Sequence, residues 1–190
     1  MTKKEARNLV NKYFVNLSAK EKKNLDSRIL SNFIKFVDNS KYKKIGSYFS
    51  LHNEANTVYL NDYLTNAGIQ IFLPKVPKEK NNKKLNFFRY LKNDKFTKNR
   101  FGILEPSKNM NSSDINELDL IVVPFRAVNK NLYRLGYGGG FYDYSLLGIN
   151  PIKCLGIGYE FQILDEFNTE PHDFKLGRLI TPEGYFKNAL

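Results

Sequence analysis

The stretch of sequence that decides the fold is DLIVVPFRAVNKNLYRLGYGGGFYDYSLL, residues 119–147. It begins with a short, apolar and β-branched run, Leu120 to Val123, which ends at Pro124. Such a run is typical of a buried strand. After a polar loop, four glycines fall within five positions, with Arg134 before them and Asp143 after them. Apolar residues at helical spacing follow, so the stretch predicts a strand, a loop, a Gly-rich turn and a helix.

The Gly-rich turn, residues 134–143, has the composition of an anion-binding loop. Glycine allows the backbone to take positive φ angles and to approach a ligand closely. Where such a loop begins a helix, the free N–H groups and the helix dipole favour a negatively charged ligand. Arg134 can hold a phosphate with two parallel hydrogen bonds. These features favour a nucleotide site, and the simpler alternative is a Gly-rich surface turn without a ligand.

Two acidic residues are candidates for a Mg²⁺ site beside the turn. Asp143 stands at the start of the predicted helix, and Mg²⁺ bound with phosphates needs few protein carboxylates. Asp173 precedes the last predicted strand and is the natural second carboxylate. Helix capping and turn stabilisation are the alternative roles for both residues.

The Gly-rich turn matches neither of the two common phosphate motifs. It lacks the Lys-Ser/Thr pair of a P-loop. Its glycines depart from the final spacing of the dinucleotide fingerprint, and no acidic residue follows at a strand end about 20 positions later. The sequence therefore disfavours a nicotinamide-dependent dehydrogenase.

The composition is that of an ordinary globular protein. The 190 residues are 42% hydrophobic and 26% charged, which excludes a disordered chain and predicts one domain, residues 1–190. No apolar run approaches the roughly 20 residues that span a bilayer, and the N-terminus lacks a signal-peptide pattern. Cys154 is the only cysteine. This excludes a disulfide framework, predicts a core residue and favours a reducing cytoplasm.

The formal net charge of +11 predicts an anionic partner, such as a nucleotide, a polyanionic small substrate or a nucleic acid. The lysines are spread along the chain, and no RNA- or DNA-binding signature accompanies them, so no specific nucleic-acid partner is expected. His52 and His172 are the only histidines, which disfavours a His-built metal site.

Capping residues and apolar stripes predict three helices in the first part of the chain, at residues 2–17, 18–39 and 57–67. Apolar runs predict strands at residues 44–50, 69–73, 120–123, 154–159 and 175–180, with a small β excursion at residues 85–91 and 96–101. This alternation predicts an α/β fold with a mostly parallel sheet covered by helices on both faces. The basic segment 75–84 lacks periodicity and is predicted to form a mobile lid.

Three residues outside the turn are candidates for ligand contacts. Lys3 and Arg7 are four positions apart on the first helix and point the same way, either into a site or into solvent. Glu54 follows the strand predicted at residues 44–50, and ligands of open α/β sheets bind at the carboxyl ends of strands. It is either a solvated loop residue or an acceptor for a ligand ring. His52, in the same loop, is predicted to lie on the surface.

The decapeptide Arg134-Leu-Gly-Tyr-Gly-Gly-Gly-Phe-Tyr-Asp143, preceded by Asp119-Leu-Ile-Val-Val-Pro124, resembles the signature of the 5-formyltetrahydrofolate cyclo-ligase (methenyltetrahydrofolate synthetase) family. The resemblance runs nearly end to end, and the decapeptide is its most specific part. Supporting family patterns fall on Lys3 and Arg7, on Ser50, Glu54 and Thr57, on 73–75, on 102–106 and on Asp173.

The resemblance implies a three-layer, Rossmann-like fold related to the phosphosugar isomerase and CoA-transferase folds. It also implies an activity, in which ATP and 5-formyltetrahydrofolate give 5,10-methenyltetrahydrofolate, ADP and phosphate, with Mg²⁺ as cofactor. The implied enzyme is a cytoplasmic monomer whose folate substrate can carry a polyglutamate tail.

The resemblance also assigns site residues. ATP binding falls on Lys3, Lys4, Arg7, Arg134, Leu135, Gly136, Tyr137, Gly138, Gly139, Gly140, Phe141 and Tyr142. Folate binding falls on Phe49, Glu54, Tyr137, Gly138, Gly139, Gly140 and Phe141. The metal falls on Asp143 and Asp173. The turn is thus expected to contact both substrates.

The chain departs from the family pattern at three positions. The family usually has a small residue after Pro124, whereas here Phe125 and Arg126 follow; Arg126 adds a charge next to the site, which puts the substrate contacts of that loop in doubt. Asn129 replaces an Asp and is expected to loosen a turn, and Phe141 replaces a commoner Tyr. Two alternatives stay open: a non-catalytic basic module that binds nucleotides or RNA on the same fold, and a phosphosugar isomerase-like protein.

Overall fold

The computed structural model describes residues 1–79, 81–92, 94–107 and 111–187. The α-helices are α1 (Lys3–Asn16), α2 (Ala19–Asp38), α3 (Val58–Asn66) and α4 (Phe141–Ser145). The first seven strands are β1 (Lys44–Gly46), β2 (Gln70–Lys75), β3 (Asn86–Tyr90), β4 (Phe96–Lys98), β5 (Leu104–Pro106), β6 (Ser112–Ser113) and β7 (Leu120–Val123). The others are β8 (Ala127–Asn129), β9 (Arg134–Leu135), β10 (Cys154–Ile157), β11 (Ile163–Leu164), β12 (Arg178–Thr181) and β13 (Gly184–Lys187).

The main sheet of the described chain has eight strands, in the order β13-β12-β10-β7-β1-β2-β3-β6. The five central strands, β12 to β2, are all parallel. Antiparallel pairs close both edges: β13 pairs with β12 at one edge, and at the other edge β3 pairs with β2 and β6 pairs with β3. The predicted mostly parallel α/β sheet is therefore confirmed.

The strand β7 contributes side chains to the hydrophobic cores on both faces of the sheet. All four of its residues are buried, and successive side chains point to opposite faces of the sheet. Leu120 and Val122 pack under α2 and α3, beside Phe33. Ile121 and Val123 pack on the other face, where α4 and irregular segments cover the sheet. This second face carries less helix than the sequence predicts.

The first two helices begin as predicted. Thr2 and Ser18 each form a capping box, with Glu5 and Glu21 as the reciprocal acceptors. α3 begins after Thr57, but the Thr57 hydroxyl does not cap it. The hydroxyl donates to the carbonyl of the chain that leaves β1, at 2.6 Å.

Several predicted strand bounds are wrong, and β1 shows the reason. The predicted strand 44–50 pairs only through Gly46. Ser47 N still donates to Phe72 O of β2 at 2.9 Å, but from Tyr48 onward the backbone bonds to side chains of α3 and of the segment before it. Tyr48 O accepts from both Thr57 Oγ1 and Asn61 Nδ2, at 2.6 and 3.1 Å. Ser50 N donates to Thr57 Oγ1 at 2.9 Å. The chain therefore turns away from the sheet and forms a loop at its edge.

The predicted strand 175–180 is shifted for the same kind of reason. Leu176 N donates to Leu132 O and Gly177 N donates to Pro151 O, so the pairing of β12 starts only at Arg178. The segment predicted as a two-part β excursion is divided between two sheets. β3 joins the main sheet next to β2, whereas β4 pairs with β5 alone.

A small second sheet, not predicted from the sequence, lies beside the main sheet. β8 pairs with β9 and with β11. Its apolar residues Ala127 and Leu135 pack with Ala6 and Val10 of α1. This packing fixes α1 next to the segment that leads into the Gly-rich turn.

No helix in the described ranges of the chain is both long enough and apolar enough to cross a membrane.

Candidate active site

The order of the parallel strands places a crevice between β1 and β7. From β1 the chain moves to β2 on one side, and β7, β10 and β12 follow on the other side. In open α/β sheets, ligands bind outside the carboxyl ends of the strands where the order reverses in this way. The segment after β1 carries Glu54, and the segment after β7 leads to the Gly-rich turn.

A cavity of about 380 Å³ opens at this point. Its lining is mainly apolar and aromatic, with a few charged groups. The residues from the β1 side and from the Gly-rich turn are Tyr48, Phe49, Leu51, Glu54, Arg134, Tyr137, Gly139, Gly140, Phe141 and Tyr142. The other lining residues are Pro74, Val76, Leu85, Asn99, Phe101, Ile103, Glu105 and Pro124. A few polar groups in a largely apolar cavity are typical of a small-molecule site.

Arg134 is the central cation of the site. It is only 5% exposed, because β9 places it under the turn. Its Nε donates to Pro124 O at 2.8 Å, and its Nη1 donates to Asp143 Oδ1 at 2.6 Å. The guanidinium also lies over the ring of Tyr142, 5.3 Å from the centroid. These contacts fix the guanidinium against the wall of the cavity.

Glycine at position 136 is required by this arrangement. A Cβ atom there would lie 2.6 Å from Arg134 Nη2, closer than any real contact. Gly138 and Gly140 have φ angles of +103° and +73°, a region that other residues rarely adopt. The turn therefore needs glycine for two reasons, the close approach of a guanidinium and the left-handed backbone.

The helix after the turn is shorter than the sequence predicts. α4 has five residues, and Gly140 at its start is left-handed. So short a helix has a small dipole. The positive charge at the turn comes instead from side chains. Arg7 Nε donates to Gly136 O at 2.9 Å, and Lys83 Nζ lies 3.6 Å from the position of a Cβ on Gly140.

Lys3, predicted to bind ATP, is held close to Asp173, predicted to bind the metal. Lys3 Nζ lies 2.7 Å from Asp173 Oδ1 and 2.5 Å from Glu170 Oε2. Partial burial lowers the pKa of Lys3, but the hydrogen bonds to Asp173 and Glu170 outweigh it and raise that pKa. The pairing of β9 with the segment before β12 brings these residues together, since Arg134 N donates to Phe174 O.

The two predicted metal ligands differ in their availability. One oxygen of Asp143 accepts from Arg134, whereas both oxygens of Asp173 are engaged, by Lys3 and by Glu170 N. Ligand atoms of Glu170, His172 and Asp173 lie within 4.8 Å of one another. In the part of the chain that the structure describes, Asp143 belongs to no such group of three.

Glu54 is buried, so its interpretation as a solvated loop residue is wrong. It is 5% exposed, and its Oε2 accepts from Leu51 N at 2.7 Å. Burial raises the pKa of Glu54, although Leu51 N, the Tyr137 hydroxyl and Arg126 act in the opposite direction. His52, in the same loop, is exposed as predicted.

Tyr137 and Tyr142 present hydroxyl groups from the turn. Tyr137 is 44% exposed, but burial of its hydroxyl end and the nearby charge of Glu54 raise its pKa. The hydroxyl also donates to Asn53 Oδ1 at 3.4 Å. Tyr142 is buried, and its hydroxyl has no hydrogen-bond partner among the described residues. Burial raises the pKa of Tyr142 as well, so both groups are neutral donors at neutral pH.

The wall of the cavity opposite the Gly-rich turn is aromatic, and the sequence predicts only part of it. Phe49, predicted to hold folate, packs edge-on against Tyr90 and Phe96, at 5.7 and 4.8 Å between centroids. Phe101 packs edge-on against Phe141 of the turn at 5.7 Å. Apart from an apolar run, no sequence pattern predicts that Phe101 lines the cavity, because its position depends on the β4–β5 hairpin.

Glu105 and Ser145 fix the ends of the predicted lid. Glu105, inside a family pattern but without an assigned role, is 6% exposed, and its Oε1 accepts from Val76 N at 2.7 Å. At the other end of segment 75–84, Leu85 N donates to Ser145 Oγ at 2.8 Å. The segment is therefore fastened at both ends, and it places Lys83 beside the turn.

Two predicted ATP residues have side chains that point away from the turn. Lys4 is exposed and makes no hydrogen bond or ion pair with the described residues. Leu135 is 2% exposed and packs under α1, so only its backbone can reach a ligand. Cys154 lies in the core, as predicted, and burial raises its pKa to about 12.

Arg126 and Asn129, two of the residues that depart from the family pattern, make specific contacts in the structure. Arg126 is 2% exposed and lies between the rings of Phe14 and Tyr137, at 5.3 and 5.1 Å from their centroids. Asn129 Oδ1 accepts from two backbone N–H groups, those of residues 131 and 133, both at 3.0 Å. The expectation that Asn129 loosens its turn is therefore wrong.

Comparison with known proteins shows which family has this sequence and fold. The sequence profile of the 5-formyltetrahydrofolate cyclo-ligase family matches residues 2–182. The chain belongs to this family. A 5-formyltetrahydrofolate cyclo-ligase from Haemophilus influenzae is 31% identical over 178 residues, which cover 92% of this chain and 94% of the relative. A protein of the same name from Escherichia coli K12 is 30% identical over 142 residues, covering 73% and 77%.

Two solved structures of family members share the fold. A 5,10-methenyltetrahydrofolate synthetase from Aquifex aeolicus is 26% identical, with a TM-score of 0.85, and covers 100% of this chain and 94% of its own. One from Mycoplasma pneumoniae is 25% identical, with a TM-score of 0.77, and the match covers 96% and 99%. The large, mostly parallel sheet is therefore the fold of the family.

Proposed function

We propose that this chain catalyses the ATP-dependent cyclisation of 5-formyltetrahydrofolate to 5,10-methenyltetrahydrofolate, with release of ADP and phosphate. One observation carries the proposal. The Gly-rich turn presents a buried Arg134, paired with Asp143, to an apolar cavity that also contains Glu54. A site for phosphates and a site for a large planar ring thus share one wall.

The proposed reaction needs no protein nucleophile. The formyl oxygen attacks the γ-phosphorus of ATP, and ADP leaves. N10 of the folate then attacks the activated formyl carbon, the C–O bond breaks, and phosphate leaves as N10 loses its proton. The chain must align the two substrates and neutralise the transferred phosphoryl group, which is a matter of positioning and electrostatics.

The phosphate side of the site is assigned to the cations around the turn. Arg134 is rigidly held and supplies a fixed positive charge beside the glycines. Arg7 and Lys83 lie on the two sides of the turn, near Gly138 and Gly140. Lys3 is a further candidate on the same face of α1 as Arg7. Such pre-arranged charges stabilise developing negative charge without reorganisation during the reaction.

The folate side is assigned to the cavity and its polar groups. Phe49 and Phe141 supply apolar surface for a planar ring, and Glu54 supplies an acceptor for ring N–H groups. The hydroxyl of Tyr142, without a partner among the described residues, is available as a donor inside the cavity. A neutral hydroxyl and a carboxylate can recognise a ring that carries both acceptors and donors.

Asp143 is the residue of this chain that fits the proposed Mg²⁺. It lies beside the turn, and a carboxylate is the ligand that Mg²⁺ prefers in a phosphate site. The bound ion would supply charge neutralisation for the phosphates. Asp173, the second predicted ligand, would first have to give up a bond to Lys3 or to Glu170 N. Its metal role stays a prediction.

Three finer proposals concern the setting of the reaction. The lone buried Cys154 supports a cytoplasmic enzyme, since a reduced thiol suits a reducing compartment. A monomer is proposed as the state that the family resemblance implies. The net charge of +11 favours a folate with a polyglutamate tail, whose carboxylates a basic surface attracts.

The test is formation of the product. Purified protein with 5-formyltetrahydrofolate, ATP and Mg²⁺ should develop the near-ultraviolet absorbance of the methenyl product and release equal amounts of ADP. Omission of ATP is the first control, and replacement of Mg²⁺ by a chelator is the second. Absence of product with ATP not consumed would contradict the proposal.

A further inference from the structure

We propose that Arg126 is a positioning residue that sets the affinity of the site for folate. Its guanidinium connects the loop between β1 and α3, residues 51–57, to α1 and to the Gly-rich turn. This proposal rests on the proposed function, because it concerns the folate side of the same site. The family resemblance assigns no role to Arg126, which adds a charge next to the site.

The first observation is the set of contacts that the guanidinium makes. Nη1 donates to Asn53 O at 3.1 Å, which ties Arg126 to the 51–57 loop. Nη2 donates to Asn11 Oδ1, which ties it to α1. The planar group also lies against the rings of Phe14 and Tyr137. A planar cation with five N–H groups can make all these contacts at once, whereas a lysine cannot.

The second observation concerns the charge. A guanidinium that is 2% exposed requires compensation by polar or anionic groups. Arg126 interacts with the hydroxyl of Tyr137, and its charge also acts on Glu54. Glu54 in turn interacts with the same hydroxyl. The three side chains therefore form one electrostatic unit at the wall of the cavity.

The third observation separates this role from a purely structural one. The backbone at Arg126 is fixed without its side chain. Arg126 N donates to Leu135 O at 2.8 Å, and Gln162 Nε2 donates to the carbonyls of Phe125 and Arg126 at 3.2 and 3.0 Å. Removal of the guanidinium should therefore leave the fold in place and release the 51–57 loop from the turn.

The variant Arg126→Met tests the proposal, because it keeps most of the side-chain volume and removes the charge and the hydrogen bonds. The KM for 5-formyltetrahydrofolate should rise about 10- to 100-fold, the effect of losing charged hydrogen bonds. The KM for ATP and kcat should change by less than about 3-fold, because the phosphate side is untouched. A folate KM at the wild-type value, or equal increases in both KM values, would overturn the proposal.

Arg178→Met is the matched control. Arg178 also lies over an aromatic ring, that of Phe36, at 5.4 Å, and donates to the hydroxyl of Tyr42. It is at the start of β12, at the opposite end of the sheet from the cavity. This variant should leave both KM values unchanged. A rise in the folate KM here equal to that of Arg126→Met would also count against a specific role for Arg126.

A second variant protects the test against loss of folding. Asn11→Ala removes one partner of Arg126 from the exposed side of α1 and introduces a good helix former. The folate KM should rise about 2- to 5-fold, because Arg126 loses one hydrogen bond and keeps its contacts to Asn53, Phe14 and Tyr137. If Arg126→Met unfolds and Asn11→Ala keeps the wild-type folate KM, the proposal is wrong.

The pH profile provides a readout that a structural role would not change. The charged and titratable groups that act on Glu54 or feel its charge are Arg126, Arg134, Tyr48, Tyr137, Tyr142 and Tyr159. Loss of the Arg126 cation raises the pKa of Glu54 further above its ordinary value. The acid limb of kcat/KM for folate should therefore move to higher pH in Arg126→Met, and an unmoved limb would contradict the electrostatic link. A wild-type protein without cyclisation activity would instead overturn the proposed function.

Discussion

The two proposed sides of the site, one for phosphates and one for folate, handle charge in opposite ways. On the phosphate side, the cations are paired in advance, Arg134 with Asp143 and Lys3 with Asp173. On the folate side, Glu54 lies buried in an apolar wall, where burial raises its pKa. The first arrangement fixes strong charges in place for a transferring phosphoryl group. The second keeps a carboxylate available for a ligand, at the cost of its desolvation.

This difference shows why the Gly-rich turn is the centre of the molecule. It contains Arg134, paired with Asp143, on the proposed phosphate side, and Tyr137 and Phe141 on the proposed folate side. Substitutions in the turn and on either side of it therefore separate the two sides.

Arg134→Met should have the largest effect, because it removes the central cation and leaves Asp143 unpaired. We expect kcat/KM for both substrates to fall about 100- to 1000-fold, the usual effect of losing a pre-arranged charge. The free energy of unfolding should fall by about 3 kcal/mol, since a largely buried ion pair is broken. Steady-state kinetics and urea unfolding measure the two effects. Activity within a few-fold of wild type would remove Arg134 from the phosphate side.

Glu54→Gln should affect the folate side alone. The KM for 5-formyltetrahydrofolate should rise about 10- to 100-fold, because a neutral amide replaces a carboxylate that accepts hydrogen bonds. The KM for ATP should stay at the wild-type value. Glu117→Gln, at an exposed carboxylate paired with Lys44, is the matched control and should change neither constant. Equal effects on both substrates would mean that the two sides are not separable.

Gly136→Ala tests the packing that joins the two sides. The added Cβ would lie 2.6 Å from Arg134 Nη2, so the guanidinium has to move. We expect kcat/KM to fall about 10-fold, which corresponds to about 1.4 kcal/mol. Gly148→Ala is the control, because no atom lies within 4 Å of its Cβ position and its φ of +78° affects stability only. Equal losses of activity in the two variants would show that the guanidinium is not the cause.

Lys83→Ala should have the smallest effect, since this cation lies at an exposed edge of the turn. The KM for ATP should rise about 2- to 5-fold at low ionic strength, and the difference should shrink as salt is added. Lys84→Ala is the neighbouring control and should leave the KM for ATP unchanged. A salt-independent effect of Lys83→Ala would argue for a packing role over the ring of Tyr144 instead.

Much of the fold could be read from local patterns. The capping boxes at Thr2 and Ser18 and the apolar run Leu120 to Val123 each specify one structure by short-range chemistry, and each prediction was confirmed. The errors occur where long-range hydrogen bonds compete with the local pattern. The segment after Gly46 reads as a strand, but its backbone bonds to Thr57 and Asn61, so it forms the loop that carries Glu54.

The site was less predictable than the fold. The decapeptide from Arg134 to Asp143 predicted the Gly-rich turn, because the glycines and the two charged residues that form the turn lie within one short stretch of the sequence. The contributions of Lys83, Glu105 and Phe101 come from distant segments that only the folded chain brings to the cavity. No local signal in the sequence marks them as neighbours of the turn.

By itself, therefore, the sequence determined the Gly-rich turn and its charged ends, since glycine content and charge are properties of the residues themselves. Only the tertiary structure decided that Arg134 is buried against Gly136, that Glu54 is desolvated, and that Arg126 lies between two rings. These three facts depend on which segments meet after β1 and β7. The burial and the pairing of a side chain depend on which segments pack together in the folded chain. The identity of the residue alone does not specify them.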